Sequence, residues 1–272
     1  MAPRSRVSIL CPGMSQKTAR KQRAVQKASP PRRPTTQGLL SGIPRSWLYG
    51  GLALVVVAIV VALVLASQLG GGEEAPPAAI DSTDTSAMLD GIPQEGTSLG
   101  SPDAPVVLYE FADLQCPYCR QWDRNVLPVL IEDYVRSGRL RIVFQGLAFI
   151  GPDSETALRT ALAAGQQDRL WHVVDLFYRH QGGENDGWVT EELVGGIGAA
   201  VPGLDTARIL DDRGSGAVDD EIAASGRMAE SFGINGTPSF LISVNGGEPE
   251  VLDVGSLEPG PYREAIDQAL GQ

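Results

Sequence analysis

Cys116 and Cys119, in the segment Cys116-Pro117-Tyr118-Cys119, carry the most reactive chemistry in the sequence. An apolar, β-branched and aromatic run, Val106–Phe111, precedes them and reads as a buried strand. After them Trp122, Val126, Leu127, Leu130 and Tyr134 recur at helical spacing, with Pro128 expected to kink that helix. The pair therefore falls where a strand gives way to a helix N-terminus. A thiolate there faces unpaired backbone N–H groups and the positive end of the helix dipole. Its pKa falls, which favours the nucleophilic form and makes it a better leaving group. Cysteines at i and i+3 are close enough to bridge, and Pro117 suits a first helical turn. The expected chemistry is thiol–disulfide exchange. Cys116 is expected to be the exposed nucleophile and Cys119, one turn deeper, the buried resolving thiol.

The same spacing admits other chemistry. It could be half a zinc site, but zinc takes four ligands. The third cysteine, Cys11, lies far upstream in a basic arm, where a free, reduced thiol is expected. His172 and His180, the two histidines, sit amid Trp171, Phe177 and Tyr178 and read as ordinary helix residues. No metal site is expected. A permanent structural disulfide is the other competitor. It is disfavoured because a short loop at a helix N-terminus makes a reactive bond.

The elements that must position the pair are legible in outline. Leu140–Phe144 reads as a second strand. A helical stretch follows, marked by Ala157, Leu158, Ala161 and Leu162, then by Leu170, Val173, Val174 and Phe177. Further helices are expected near 190–200, 205–212 and 217–231. Ser239–Val244 reads as a third strand, Asn245-Gly246-Gly247 as a hairpin turn and Val251–Val254 as a fourth strand. Pro261–Leu270 closes with a helix. The order is that of an α/β sandwich with a helical insertion.

Charge divides the 272 residues sharply. Residues 1–45 hold ten of the 22 basic residues and no acid, and residues 46–272 carry a net charge of −21. Such an acidic body repels nucleic-acid phosphate, so no nucleic-acid partner is expected. Residues 1–46 read as a basic cytoplasmic arm and 47–69 as a single transmembrane helix. The apolar core of that span is Trp47–Ala66, with Trp47 and Tyr49 at the interface. The positive-inside rule places the body outside the cell, held in membrane lipid by 47–69. A cleavable signal peptide ending near Ala66 is the alternative, and it exports the body too. Residues 70–99, with Gly70-Gly71-Gly72 and Pro76-Pro77, read as a flexible linker, and 100–272 as the globular domain.

Tyr109-Glu110-Phe111, the CPYC segment, the helical insertion and Gly236-Thr237-Pro238-Ser239-Phe240 together resemble the thioredoxin superfamily. Within it the chain is most similar to membrane-anchored DsbA-like thiol:disulfide oxidoreductases. The resemblance implies a thioredoxin-like fold with a helical insertion and no cofactor beyond a redox-active Cys116–Cys119 disulfide. It implies a cis-proline at Pro238, beside which Thr237 offers its backbone to an extended peptide. Pro117 and Tyr118 would complete the substrate-binding surface. Glu110, six residues before Cys116, matches the family's buried acid and would relay a proton to or from Cys119. DsbA itself has His where this chain has Tyr118, which implies a less oxidising pair. The implied function is oxidation of cysteines in exported proteins, with reoxidation by a membrane partner of the DsbB or vitamin K epoxide reductase type. An envelope reductase or isomerase of the same fold stays open. So does a non-enzymatic envelope module for metal binding or adhesion.

Overall fold

The computed structural model describes residues 54–62 and 79–272. Residues 54–62 form helix α1, with Leu54, Val55 and Ile59 among its exposed side chains. The basic arm, Cys11 and the rest of the expected span 47–69 lie outside the described residues. Among the described residues no helix is long and apolar enough to cross a membrane.

Residues 79–272 build a sheet from β1 (Gln94–Glu95), β2 (Ser98–Leu99), β3 (Val106–Ala112), β4 (Leu140–Gly146), β5 (Ser239–Val244) and β6 (Glu250–Val251). Their spatial order is β1-β2-β4-β3-β5-β6. β3 and β4 run parallel, and β5 lies antiparallel on the other side of β3. The central strand β3 is buried along almost its whole length. That burial explains why every position but Glu110 is apolar or aromatic. Leu108, Phe111, Ile142, Phe144 and Leu241 are all essentially inaccessible to solvent.

The helices are α2 (Thr83–Leu89), α3 (Pro117–Asn125), α4 (Leu127–Leu130), α5 (Pro152–Gly165), α6 (Leu170–Arg179), α7 (Glu191–Ala200), α8 (Thr206–Asp212), α9 (Gly216–Ser231) and α10 (Pro259–Ala269). A π-helical turn, Ile131–Val135, follows α4. The helix expected over Cys116–Tyr134 is therefore three pieces. Pro128 has no N–H to give to the carbonyl one turn back, and the break falls just before it, at Val126.

Two expectations are corrected. Residues 83–99, within the expected linker, are part of the domain. They form α2, β1 and β2, and β2 pairs antiparallel with β4. Their polar composition hid this, because α2 is a short helix that buries only Thr85 and Leu89, four residues apart on one face. Gly100 then makes the tight entry into the sheet. Its φ of +109°, with Leu140 O 2.8 Å from where a Cβ would lie, admits glycine alone. The second correction concerns the fourth strand, which ends at Val251 instead of Val254. Asp253 Oδ1 accepts from Gly255 N at 3.2 Å, and Gly255 has a φ of 58°, so the chain turns away. The preceding turn is as expected, with Asn245 and Gly246 both at positive φ.

Candidate active site

The two cysteines lie where β3 hands over to α3. Cys116 is the N-cap of α3 and Pro117 opens its first turn. Cys116 N–H donates to Asp113 O at 3.0 Å, which closes the turn after the strand. Both cysteines are free thiols. Cys119 is fully buried, as expected, but Cys116 is only 5% exposed, so the expected exposed nucleophile is a nearly covered one. What covers it is the segment before β5. The Cys116 thiol donates to Thr237 O at 3.3 Å, and the Thr237–Pro238 peptide bond is cis.

This setting splits the two thiols. Cys116 is pulled down from 9.0 to about 6. The largest cause is a hydrogen bond from the Cys119 side chain. Thr237 and the backbone N–H groups of Cys119 and Tyr118 add to it, against the opposing effect of burial. Cys119 is pushed well above its ordinary value, first by burial and then by the thiol of Cys116. At neutral pH the pair holds a reactive thiolate at the rim and a protonated thiol beneath it.

A cleft of about 650 Å³ opens beside this thiolate, with Tyr118, Thr237 and Pro238 on its near side. Tyr118 is 62% exposed, and its ring is available to a ligand lying in the cleft. Pro117 is exposed at the helix start and does not line the cleft.

Glu110 lies beneath α3 on β3 and is buried. Its Oε1 has no hydrogen-bond partner, and burial raises its pKa from 4.5 to about 8. Phe240, its register partner on β5, packs with Trp122 and Tyr262, the three ring centroids 5.1–6.1 Å apart. Asp123, one turn after Cys119, is buried too. Its pKa is raised first by burial and then by the charges of Asp175 and Glu110.

Residues 94–248 match the family model described as Thioredoxin. The chain belongs to the thioredoxin family. It is 34% identical over 176 residues to the probable disulfide bond formation protein D of Bacillus anthracis, a match covering 64% of this chain and 77% of that protein. The crystal structure of oxidised BdbD from Bacillus subtilis superposes with a TM-score of 0.57 at 21% identity, over 66% of this chain and 98% of that one. A thioredoxin-like oxidoreductase from Silicibacter pomeroyi DSS-3 gives 0.51 at 27% identity, over 66% and 93%. Within the thioredoxin family the chain is a thiol:disulfide oxidoreductase.

Sequence reasoning missed Asp113. Its carboxylate, fully buried, accepts from Gln115 N (2.8 Å), Ser154 Oγ (2.6 Å), Phe149 N (2.8 Å) and Ile150 N (3.0 Å). It locks the loop carrying Cys116 to the loop after β4 and to the start of α5. The helical insertion adds a second hold. Gln181 Nε2 donates to Leu114 O at 2.8 Å and to Cys116 O at 3.2 Å. An aspartate between a strand end and a helix start is a turn signal that could have flagged Asp113. Nothing local marks Gln181, which reaches the loop from 65 residues away.

Glu110 carries a prediction of its own. Its carboxyl binds a proton more tightly in the folded chain, near 8, than at the ordinary 4.5. Between those values the folded state keeps a proton that the unfolded chain has lost, so stability falls as pH rises and levels off above pH 8. Glu110→Gln removes that penalty. The variant is expected to be more stable at pH 7 by on the order of 3 kcal/mol, with the gain gone at pH 4. Denaturant midpoints at the two pH values measure it. An equal gain at both, or a less stable variant at pH 7, contradicts the buried, neutral carboxyl.

Proposed function

We propose that this oxidoreductase works as an oxidant outside the cytoplasm, introducing disulfides into exported proteins. The observation that carries the proposal is the nearly covered Cys116 thiol, with a pKa of about 6, at the edge of a peptide-sized cleft. The relatives named for disulfide bond formation support the direction.

In the cycle, Cys116 and Cys119 begin as a disulfide. A substrate thiolate attacks Cys116 Sγ, the Cys116–Cys119 bond breaks and Cys119 leaves as a thiolate. Cys119 then takes a proton, which its raised pKa favours. Glu110, neutral at pH 7, is the buried acid that supplies it. A second substrate thiolate attacks the substrate sulfur of the mixed disulfide and expels Cys116, itself a good leaving group. The substrate has lost two electrons and gained a disulfide; the enzyme is left as the dithiol. Tyr118, Thr237 and Pro238 hold the substrate segment, Thr237 through its backbone, and Pro117 holds the helix start.

Residues 47–69 tether the domain to the membrane with 1–46 in the cytoplasm. The tether keeps Cys116 within reach of a membrane partner of the DsbB or vitamin K epoxide reductase type, which reoxidises the pair. Oxidised full-length chain, mixed with a reduced, unfolded substrate protein under anaerobic conditions, is expected to transfer its disulfide stoichiometrically. No transfer above the rate without enzyme contradicts the proposal.

A further inference from the structure

The cleft beside Cys116 has two unlike walls. The near wall holds Tyr118 and Pro238; the far wall, made by β6 and the loop before α10, presents Val251, Val254 and Leu257. Val251 is 59% exposed with nothing packed over it. Between these apolar residues stand Asp253 and Glu258, both exposed, and no Arg, Lys or His lines the cleft. Asp253 is fixed in place by the bond from Gly255 N to its Oδ1, and Glu258 occupies the N-cap position of α10 with its side chain making no capping bond. The surroundings reinforce the sign, since residues 79–272 contain 12 Arg, no Lys and 31 acids, a net charge of −19.

We propose that the cleft selects cysteine-bearing segments with a Lys or Arg and an apolar residue near the reacting cysteine. Asp253 and Glu258 are its specificity determinants. The proposal rests on the exchange chemistry proposed above. The apolar walls lower the local dielectric, so two carboxylates facing one cleft steer a cationic segment and repel an anionic one. In the step concerned, the segment's thiolate attacks Cys116 Sγ as the Cys116–Cys119 bond breaks. The segment's positive charge is thereby held over the far wall while its sulfur reaches the near one.

Two reduced dithiol peptides, identical except for Lys or Glu beside one cysteine, test this with the oxidised full-length chain. Each rate is divided by the same peptide's rate with a small uncharged disulfide, which removes any difference in thiol acidity. At low salt the normalised rate for the Lys peptide is expected to exceed that for the Glu peptide by about tenfold. At an ionic strength of about 1 M the advantage is expected to shrink to less than about twofold. In Asp253→Asn/Glu258→Gln the low-salt ratio is expected to approach one, because the Lys peptide slows and the Glu peptide speeds up. The salt arm uses the unaltered chain, so it stands even where that variant fails to fold. Equal normalised rates at low salt overturn the selectivity and leave the exchange proposal standing. Oxidation of neither peptide overturns both.

Discussion

Cys116→Ser is expected to lower disulfide transfer by on the order of a thousandfold or more, to the uncatalysed rate. The reason is local and physical. Cys116 caps α3, and the N–H groups of Tyr118 and Cys119, with the Cys119 and Thr237 side chains, bring its pKa to about 6. Serine can accept the same hydrogen bonds, but it forms no disulfide and offers no sulfur for a substrate thiolate to attack. The fold should tolerate the change, since the site is small, capped and 95% covered by neighbours that serine can also satisfy. In the unaltered chain, alkylation of Cys116 should rise with pH through a midpoint near 6. Transfer retained by Cys116→Ser would sink the nucleophile assignment.

Cys119→Ser is expected to trap what the wild type releases. With the resolving thiol gone, Cys116 can still enter a mixed disulfide, and only a second external thiol can then free it. Cys119 lies fully buried one turn below, held as a thiol by a raised pKa, and among the described residues no third cysteine could replace it. Expressed in cells, the variant should run on a non-reducing gel as a ladder of covalent adducts with exported proteins. The ladder should disappear on reduction and in the Cys116→Ser/Cys119→Ser double variant. A single unshifted band from Cys119→Ser argues against catalysis by exchange.

Much of the site was legible because its signals are local. A strand, two cysteines i and i+3, and a proline at the first helical turn fix the placement of Cys116 without tertiary knowledge. The strands at 106–112, 140–146 and 239–244 were readable for the same reason, since each is a short segment rich in β-branched, leucine and aromatic residues. The failures are tertiary. Thr85 and Leu89 carry too little apolar surface to announce a helix, and β1 and β2 are two residues each, so 83–99 looked like linker. The burial of Glu110 was implied by the resemblance alone; it is set by sheet pairing with Phe144 and Phe240 on either side. The cover over Cys116 comes from Thr237, 121 residues away, and periodicity carries no information about that contact.

The reduction potential of the Cys116/Cys119 couple tests the central claim most directly. It is measured on the full-length chain in detergent by equilibration with glutathione buffers. A thiolate with a pKa of about 6 stabilises the dithiol form more than a thioredoxin-like pKa near 7 does, and less than a DsbA-like value near 3.5. The potential is therefore expected to lie between theirs, above about −270 mV and below about −120 mV. That is still oxidising towards structural disulfides, which lie below about −300 mV. A value at or below about −270 mV would contradict the account, because the pair would then be no better an oxidant than a thioredoxin reductant.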